Sequence, residues 1–403
     1  MKKIKLKVVI ALRATTRNPL MIVASLLFTT VISVYAEDDV PVFNPLRTGV
    51  PSLTIAPDAR GGAMGDIGAA TEPDVFSQYW NPAKYAFASS KGGVSLSYTP
   101  WLSKLVDDIN LVYASGYYKL GNSENLALGA SIRYFSLGNI PLIDRENMPL
   151  GETKPYEMAA DISLSMKTSE TFSLAAAFRY IRSDLGAGID EELEAGTAVA
   201  ADIAGYYNKY VNLGSSECLL GLGFNISNIG PKISYDGGNT NVFLPTNMRL
   251  GASLLMPLDD YNTLSFNADI NKYLVPTPPI TDGMTPDEAA AAWEKYNDKS
   301  PISGIFSSFN DAPGGMKEEL KEIMWSVGAE YAYDRKFFAR GGYFYENKSK
   351  GNRQYFSLGA GFKLSAFQLD VAYLISTVAS NPLDQTLRFS LSFDMDGMRS
   401  LMQ

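Results

Sequence analysis

From Leu387 to Asp394 every second residue is apolar: Leu387, Phe389, Leu391 and Phe393 alternate with Arg388, Ser390, Ser392 and Asp394. Successive side chains of a strand point to opposite faces, so this period of two sets one greasy face against one polar face. The same phase holds in Phe367, Leu369, Val371 and Tyr373 against Gln368 and Asp370, and in Met158, Ala160, Ile162 and Leu164 against Asp161, Ser163 and Ser165. Fourteen such stretches are predicted as strands, beginning near Gly93, Asp108, Glu124, Lys154, Glu170, Gly196, Ser216, Asn247, Tyr261, Met324, Phe337, Gln354, Ala366 and Gln385.

The connections decide where the greasy face points. After strands 2, 4, 6, 8, 10 and 12 they are turn-sized: Gly121 to Ser123, Thr168-Ser169, Lys209 to Ser215, Pro257 to Asp260, Asp334 to Lys336 and Leu364-Ser365. After strands 3, 5, 7 and 9 they run from Asn139 to Thr153, Asp184 to Ala195, Gly230 to Thr246 and Asn271 to Ile323. A soluble sandwich has no reason for such alternation, whereas an outer-membrane barrel keeps short periplasmic turns and long outer loops. The expected fold class is all-β: a fourteen-stranded antiparallel transmembrane β-barrel over 93–394, its outward face against outer-membrane lipid. An even strand count returns both ends to one side, expected to be periplasmic. The 34 Gly and 23 Tyr suit strands and tight turns.

The first 36 residues carry six basic residues and no acid, then an apolar run from Leu20 to Ile32 and a small-residue site ending at Ala36. That order predicts a secretory signal peptide over 1–36; the run is short for an anchoring helix. Without it, 29 of the 35 basic residues remain against 43 acidic ones, a net charge of −14 that disfavours nucleic acid as a partner. The chain has no histidine, which removes the usual triads, His metal sites and the common general base. No catalytic, cofactor-binding or metal residue is expected. The single Cys218 reads as a small buried hydrophobe.

The inward phase places Arg133, Asp161, Arg179, Asp202, Arg249, Asp269, Glu330, Arg340, Asp370 and Arg388 in the lumen, as five opposite-charge pairs on adjacent strands. Mixed signs suit an internal brace better than an ion pore. In the longest connection, 271–323, Thr285-Pro286-Asp287-Glu288 opens a helix with a capping residue, a first-turn proline and a Glu three residues after the cap. Trp293 and Tyr296 share one face of it and are the expected partner-binding aromatics of an ordered outer loop.

Residues 37–92 are too long for a leader. They hold Asp58, Arg60, Gly61, Gly62, Gly65, Trp80, Asn81, Pro82 and Ala83, glycines for close backbone approach beside a stiff aromatic knot. Such a segment can be threaded into the lumen as a plug.

Asn81-Pro82-Ala83 ahead of fourteen strands resembles the FadL family of outer-membrane barrels, which carry an N-terminal hatch in the lumen. The fuller runs Pro57 to Asp66, Tyr79 to Tyr85, Ser97 to Leu102 and Asp107 to Leu111 resemble the PorV proteins of the type IX secretion system, from about Pro51 to the last strand. This resemblance implies a noncatalytic shuttle in the outer membrane of a Gram-negative, Bacteroidota-like cell. It would associate with the translocon barrel, bind cargo through the C-terminal signal domain and deliver it to the surface sortase of the attachment complex. A FadL-like channel for hydrophobic small molecules is the alternative; lipopolysaccharide deacylation, also linked to the family, lacks the usual base here. One departure is the tail 395–403, which keeps the terminal aromatic of a barrel-assembly signal away from the chain end.

Overall fold

The computed structural model describes residues 42–101, 108–121, 125–143, 148–186, 193–214, 216–378 and 383–402. The signal-peptide expectation at 1–36, and Leu102 and Asp107 of the quoted motifs, lie outside them. Fourteen strands close into one antiparallel barrel: β1 (Gly92–Pro100), β2 (Ile109–Leu120), β3 (Leu126–Leu137), β4 (Tyr156–Lys167), β5 (Phe172–Asp184), β6 (Gly196–Leu213), β7 (Ser216–Ile229), β8 (Asn247–Pro257), β9 (Asn262–Tyr273), β10 (Met324–Tyr333), β11 (Phe337–Tyr345), β12 (Gln354–Leu364), β13 (Phe367–Ser376) and β14 (Leu387–Asp394). Each begins within two residues of its expected position. Closure comes from β1 on β14, with Leu96 opposite Leu391 and Ser97 opposite Ser390, so no ladder edge is left open.

Alternation holds around the ring. Leu96, Ile132, Ile162, Phe178, Phe266 and Leu358 are exposed on the outer face, while Ser97, Ser131, Asp161, Arg179, Ser265 and Ser357 are buried inside. No helix among the described residues is long and apolar enough to cross a membrane. The outer face is instead an apolar band carried on strands.

The short connections are tight. Between β10 and β11, Asp334 and Arg335 both take positive φ (51° and 50°) and Lys336 N–H donates to Tyr333 at 3.0 Å, the two-residue turn whose twist matches the flanking strands. One expectation is corrected: β6 does not end near Lys209 but continues to Leu213, because β7 pairs with it down to Leu213 opposite Ser216. The long connections carry structure of their own, including two small hairpins, Ile140–Ile143 with Pro149–Thr153 and Ile233–Ser234 with Asn241–Val242.

Two short helices, α1 (Ala59–Ala63) and α2 (Ser77–Trp80), and two 3-10 turns, Pro51–Thr54 and Pro82–Phe87, lie inside the ring. Ala59 and Ala63 pack on Ala372 of β13, and Ala83 on Ala175, Ala204 and Tyr206 of β5 and β6. The 274–323 connection holds α3 (Pro286–Asp298), α4 (Pro301–Ser307) and α5 (Met316–Glu319). The tail is a helix rather than an extended end: α6 (Met395–Met402) starts where β14 stops, with Asp394 Oδ1 accepting the N–H groups of Asp396 (2.9 Å) and Gly397 (3.1 Å).

Candidate functional site

The hatch motif is organised around Asp58. Its carboxylate caps α1 through Gly61 N–H (2.8 Å) and accepts the Trp80 indole N–H (2.6 Å). A Cβ at Gly61 or Gly68 would overlap the Trp80 ring, so the two glycines are the floor on which the indole lies. Gly62 lies against the Arg388 guanidinium, and Gly65, at φ 85°, against the Tyr343 backbone. Asn81 is extended, as the following proline requires, and its side chain is fully engaged: Oδ1 accepts Ala83 N–H (3.0 Å), while Nδ2 donates to Ala69 (2.8 Å) and to Gly205 of β6 (3.0 Å). Pro82 opens the 3-10 turn, and the Ala83 carbonyl receives the Ser165 and Ser173 hydroxyls. Arg60 bridges Asp74 (2.8 Å) and Glu330 of β10 (2.9 Å).

The lumen charges are arranged differently from the expected pairs. Arg179 holds both Asp202 (2.9 Å) and Asp161 (3.1 Å), and Arg340 holds both Glu330 (2.5 Å) and Asp370 (2.6 Å). The other three pairs are not formed. Arg133 donates to the Ser52 and Ile55 carbonyls instead of Asp161. Arg388 meets Asp66 of the hatch (2.5 Å) instead of Asp370. Arg249 bonds Asn271 (2.8 Å), and Asp269 accepts Gly68 N–H (2.9 Å) and Ala69 N–H (3.0 Å). Two causes act together: Arg249 stands opposite Asn271 and Asp269 opposite Gly251, two residues apart, and the hatch backbone reaches the carboxylate first. Sequence periodicity identifies which side chains face inward but not that Gln78 and Asp66 of the hatch would meet them. Gln78 donates to Asp161 at 2.6 Å and accepts from Ser163 at 2.7 Å.

A double-mutant cycle is expected to separate the two cases. Neutralising Arg179 and Asp202 should show a coupling of about 0.5–3 kcal/mol, whereas Arg249 and Asp269, which do not touch, should show a smaller one. Unfolding in detergent micelles measures both; equal coupling would contradict the contacts.

In the long loop the capping box forms: Thr285 Oγ1 accepts Glu288 N–H, and Glu288 accepts Thr285 N–H at 2.9 Å. The aromatic face of α3 does not point outward, however. Tyr296 is 8% exposed and packs edge-on against Phe243, while Trp293 lies under the Arg47 guanidinium at 4.6 Å. The helix face that is apolar by sequence is covered by the preceding loop and the chain entering the barrel. Beneath the loop, Lys272 bonds Glu322 (2.6 Å) and Glu319 (3.2 Å), and Lys350 bonds Glu318 (2.5 Å) and Glu322 (3.0 Å). Burial pushes the Glu318 carboxyl up, but Lys350 and the Gly314 N–H outweigh it and hold the group below the usual carboxylate range. Most of what the loop exposes lies in and beyond α4: Phe306 is 76% exposed and Ile302 67%, with Phe309, Met316 and Leu320 also in solvent. These residues carried no sequence signal, because α4 is too short for a readable period.

The family model for type IX secretion system protein PorV matches residues 41–280. This chain belongs to the PorV family. It is therefore an outer-membrane barrel of the type IX secretion family, and the match runs from the entrance of the hatch into the long loop. None of the curated proteins matches the sequence. Solved structures similar to this PorV-family chain include the Pseudomonas putida toluene transporter TodX, at 10% identity and TM-score 0.47, covering 87% of this chain and 99% of that one. A Pseudomonas aeruginosa FadL homologue is similar at 13% identity and TM-score 0.42, over 88% and 99%. The fold of this chain rests on its own closed ladder.

Proposed function

We propose that this chain is a noncatalytic carrier that takes secreted cargo by its C-terminal signal domain at the translocon barrel and delivers it to the sortase of the attachment complex. The long-connection rim then faces outward, both ends of the barrel face the periplasm, and residues 37–92 act as a standing hatch. The observation that carries the reading is the loop platform. Its underside is pinned by buried ion pairs, and its top presents Phe306, Ile302 and Phe309 to solvent on a rigid support. Large apolar side chains held in that way suit a protein partner. Trp293 and Tyr296 hold the platform down rather than meet the partner. The lumen argues against a passage for hydrophobic molecules, since hatch and charged side chains fill it.

Replacing Phe306 and Ile302 by serine should weaken cargo binding to the solubilised protein by about thirtyfold or more, two anchors of about 1 kcal/mol or more each, with membrane insertion normal. Undiminished binding would move the docking surface elsewhere. Normal cargo secretion in a deletion strain that has lost hydrophobic uptake would replace the carrier by the channel.

A further inference from the structure

The lumen arginines divide into two groups. Arg60, Arg179, Arg340, Arg353 and Arg388 each hold a carboxylate. Arg133 and Arg249, 3% and 9% exposed, make no ion pair among the described residues. Both lie against the Tyr79 ring, their guanidinium carbons 4.9 and 5.3 Å from its centre, and Arg249 also covers Trp80 at 4.6 Å. Arg249 gives Nε–H to Asn271, and its two terminal amino groups meet no acceptor among the described residues.

Both arginines line one cavity of about 50 Å³. Its wall carries four arginines and two aspartates, and both aspartates are already engaged, Asp66 by Arg388 and Asp161 by Arg179. Arg133 and Arg249 are thus the two guanidiniums of the wall that no carboxylate among the described residues contacts. A buried guanidinium without a contacting anion is costly, and its planar fork of donors matches two oxygens of one anion.

We propose that this chamber binds a small oxyanion, with the terminal nitrogens of Arg249 donating to its oxygens and Arg133, also against Tyr79, supplying the second positive charge. The volume sets the size of the ligand. It accommodates a free phosphate- or carboxylate-sized ion and is far below the roughly 300 Å³ at which pockets begin to enclose larger organic molecules. The site is independent of the carrier reading and of the loop platform.

The test uses the full mature chain in detergent micelles, with its unfolding midpoint followed against inorganic phosphate, acetate and chloride at equal ionic strength. Binding to the folded state raises the midpoint with ligand concentration. Phosphate, acetate or both should raise it well beyond chloride, phosphate alone marking a tetrahedral ligand and acetate alone a planar one. Arg249→Gln should weaken the apparent affinity by about tenfold or more, the loss of one charge-assisted donor set. Arg249→Lys, which keeps the charge without the fork, provides a folded variant if the glutamine form does not assemble, and should fall between. Equal effects of all three salts on the unsubstituted protein, or an undiminished gain in the folded variant, would overturn the proposal.

Discussion

Replacing Trp80 by alanine is expected to free the hatch while the strand ladder stays closed. The indole is 1% exposed, lies on Gly61 and Gly68, and is covered by Arg249 at 4.6 Å. Trp→Ala in a packed interior costs about 3–5 kcal/mol, and here it also leaves the Asp58 carboxylate, buried at the head of α1, without its 2.6 Å donor. Barrel closure does not pass through this residue, since β1 pairs with β14 by backbone contacts of its own. Limited proteolysis should therefore cut within 50–90 at least about a hundredfold faster, while the barrel remains heat-modifiable on gels. Unchanged protection of the segment would mean that the side-chain contacts of Asn81, Gln78 and Arg60 hold the hatch without the aromatic.

The second large effect is expected at Arg340. Its side chain is fully buried between Glu330 of β10 and Asp370 of β13 and spans the intervening strand β12. That crossing is open because Gly361 stands between Phe338 and Asp370, where any Cβ would meet the Asp370 carboxylate and the Arg340 fork. Arg340→Met should destabilise the barrel by about 3–5 kcal/mol, because it strands the buried Asp370 carboxylate rather than merely removing a pair. Glu330 keeps Arg60, but Asp370 is left with the Gln368 amide at 2.8 Å. Adding Glu330→Gln and Asp370→Asn should recover much of the loss, since no unpaired charge would remain on that face. Thermal unfolding in micelles reads both steps. A single mutant as stable as the original would show that the charges do not brace the wall, and a triple mutant no better than the single would show that volume, not charge, is what Arg340 supplies.

These two residues also mark how far the sequence could be read. Arg340 and Glu330 stand directly opposite each other on neighbouring strands, so periodicity and turn length were enough to pair them. Asp370 and Arg388 lie on neighbouring strands too, yet Arg388 stands opposite Ala372, and each charge found a closer partner elsewhere. A one-dimensional phase reports the face a residue occupies, whereas its partner depends on register and on whatever else enters the lumen. Helix α3 divides in the same way. Its start was legible because Thr285 and Glu288 satisfy each other within one turn. The destination of Trp293 and Tyr296 was not, because Phe243 and Arg47, which receive them, come from remote parts of the chain.

By itself, then, the sequence determined the number of strands, their phase, the alternation of short and long connections and the cap of α3. All of these follow from backbone geometry acting over a few residues. The tertiary structure alone decided the contents of the lumen: that Asp269 would serve the hatch backbone, that Arg340 would reach over a glycine to a second strand, and that Arg133 and Arg249 would both lie against Tyr79 without a carboxylate in contact. Closing the ring brings side chains from all fourteen strands to the same interior, where a buried charge takes whichever partner lies within reach, however distant in the chain.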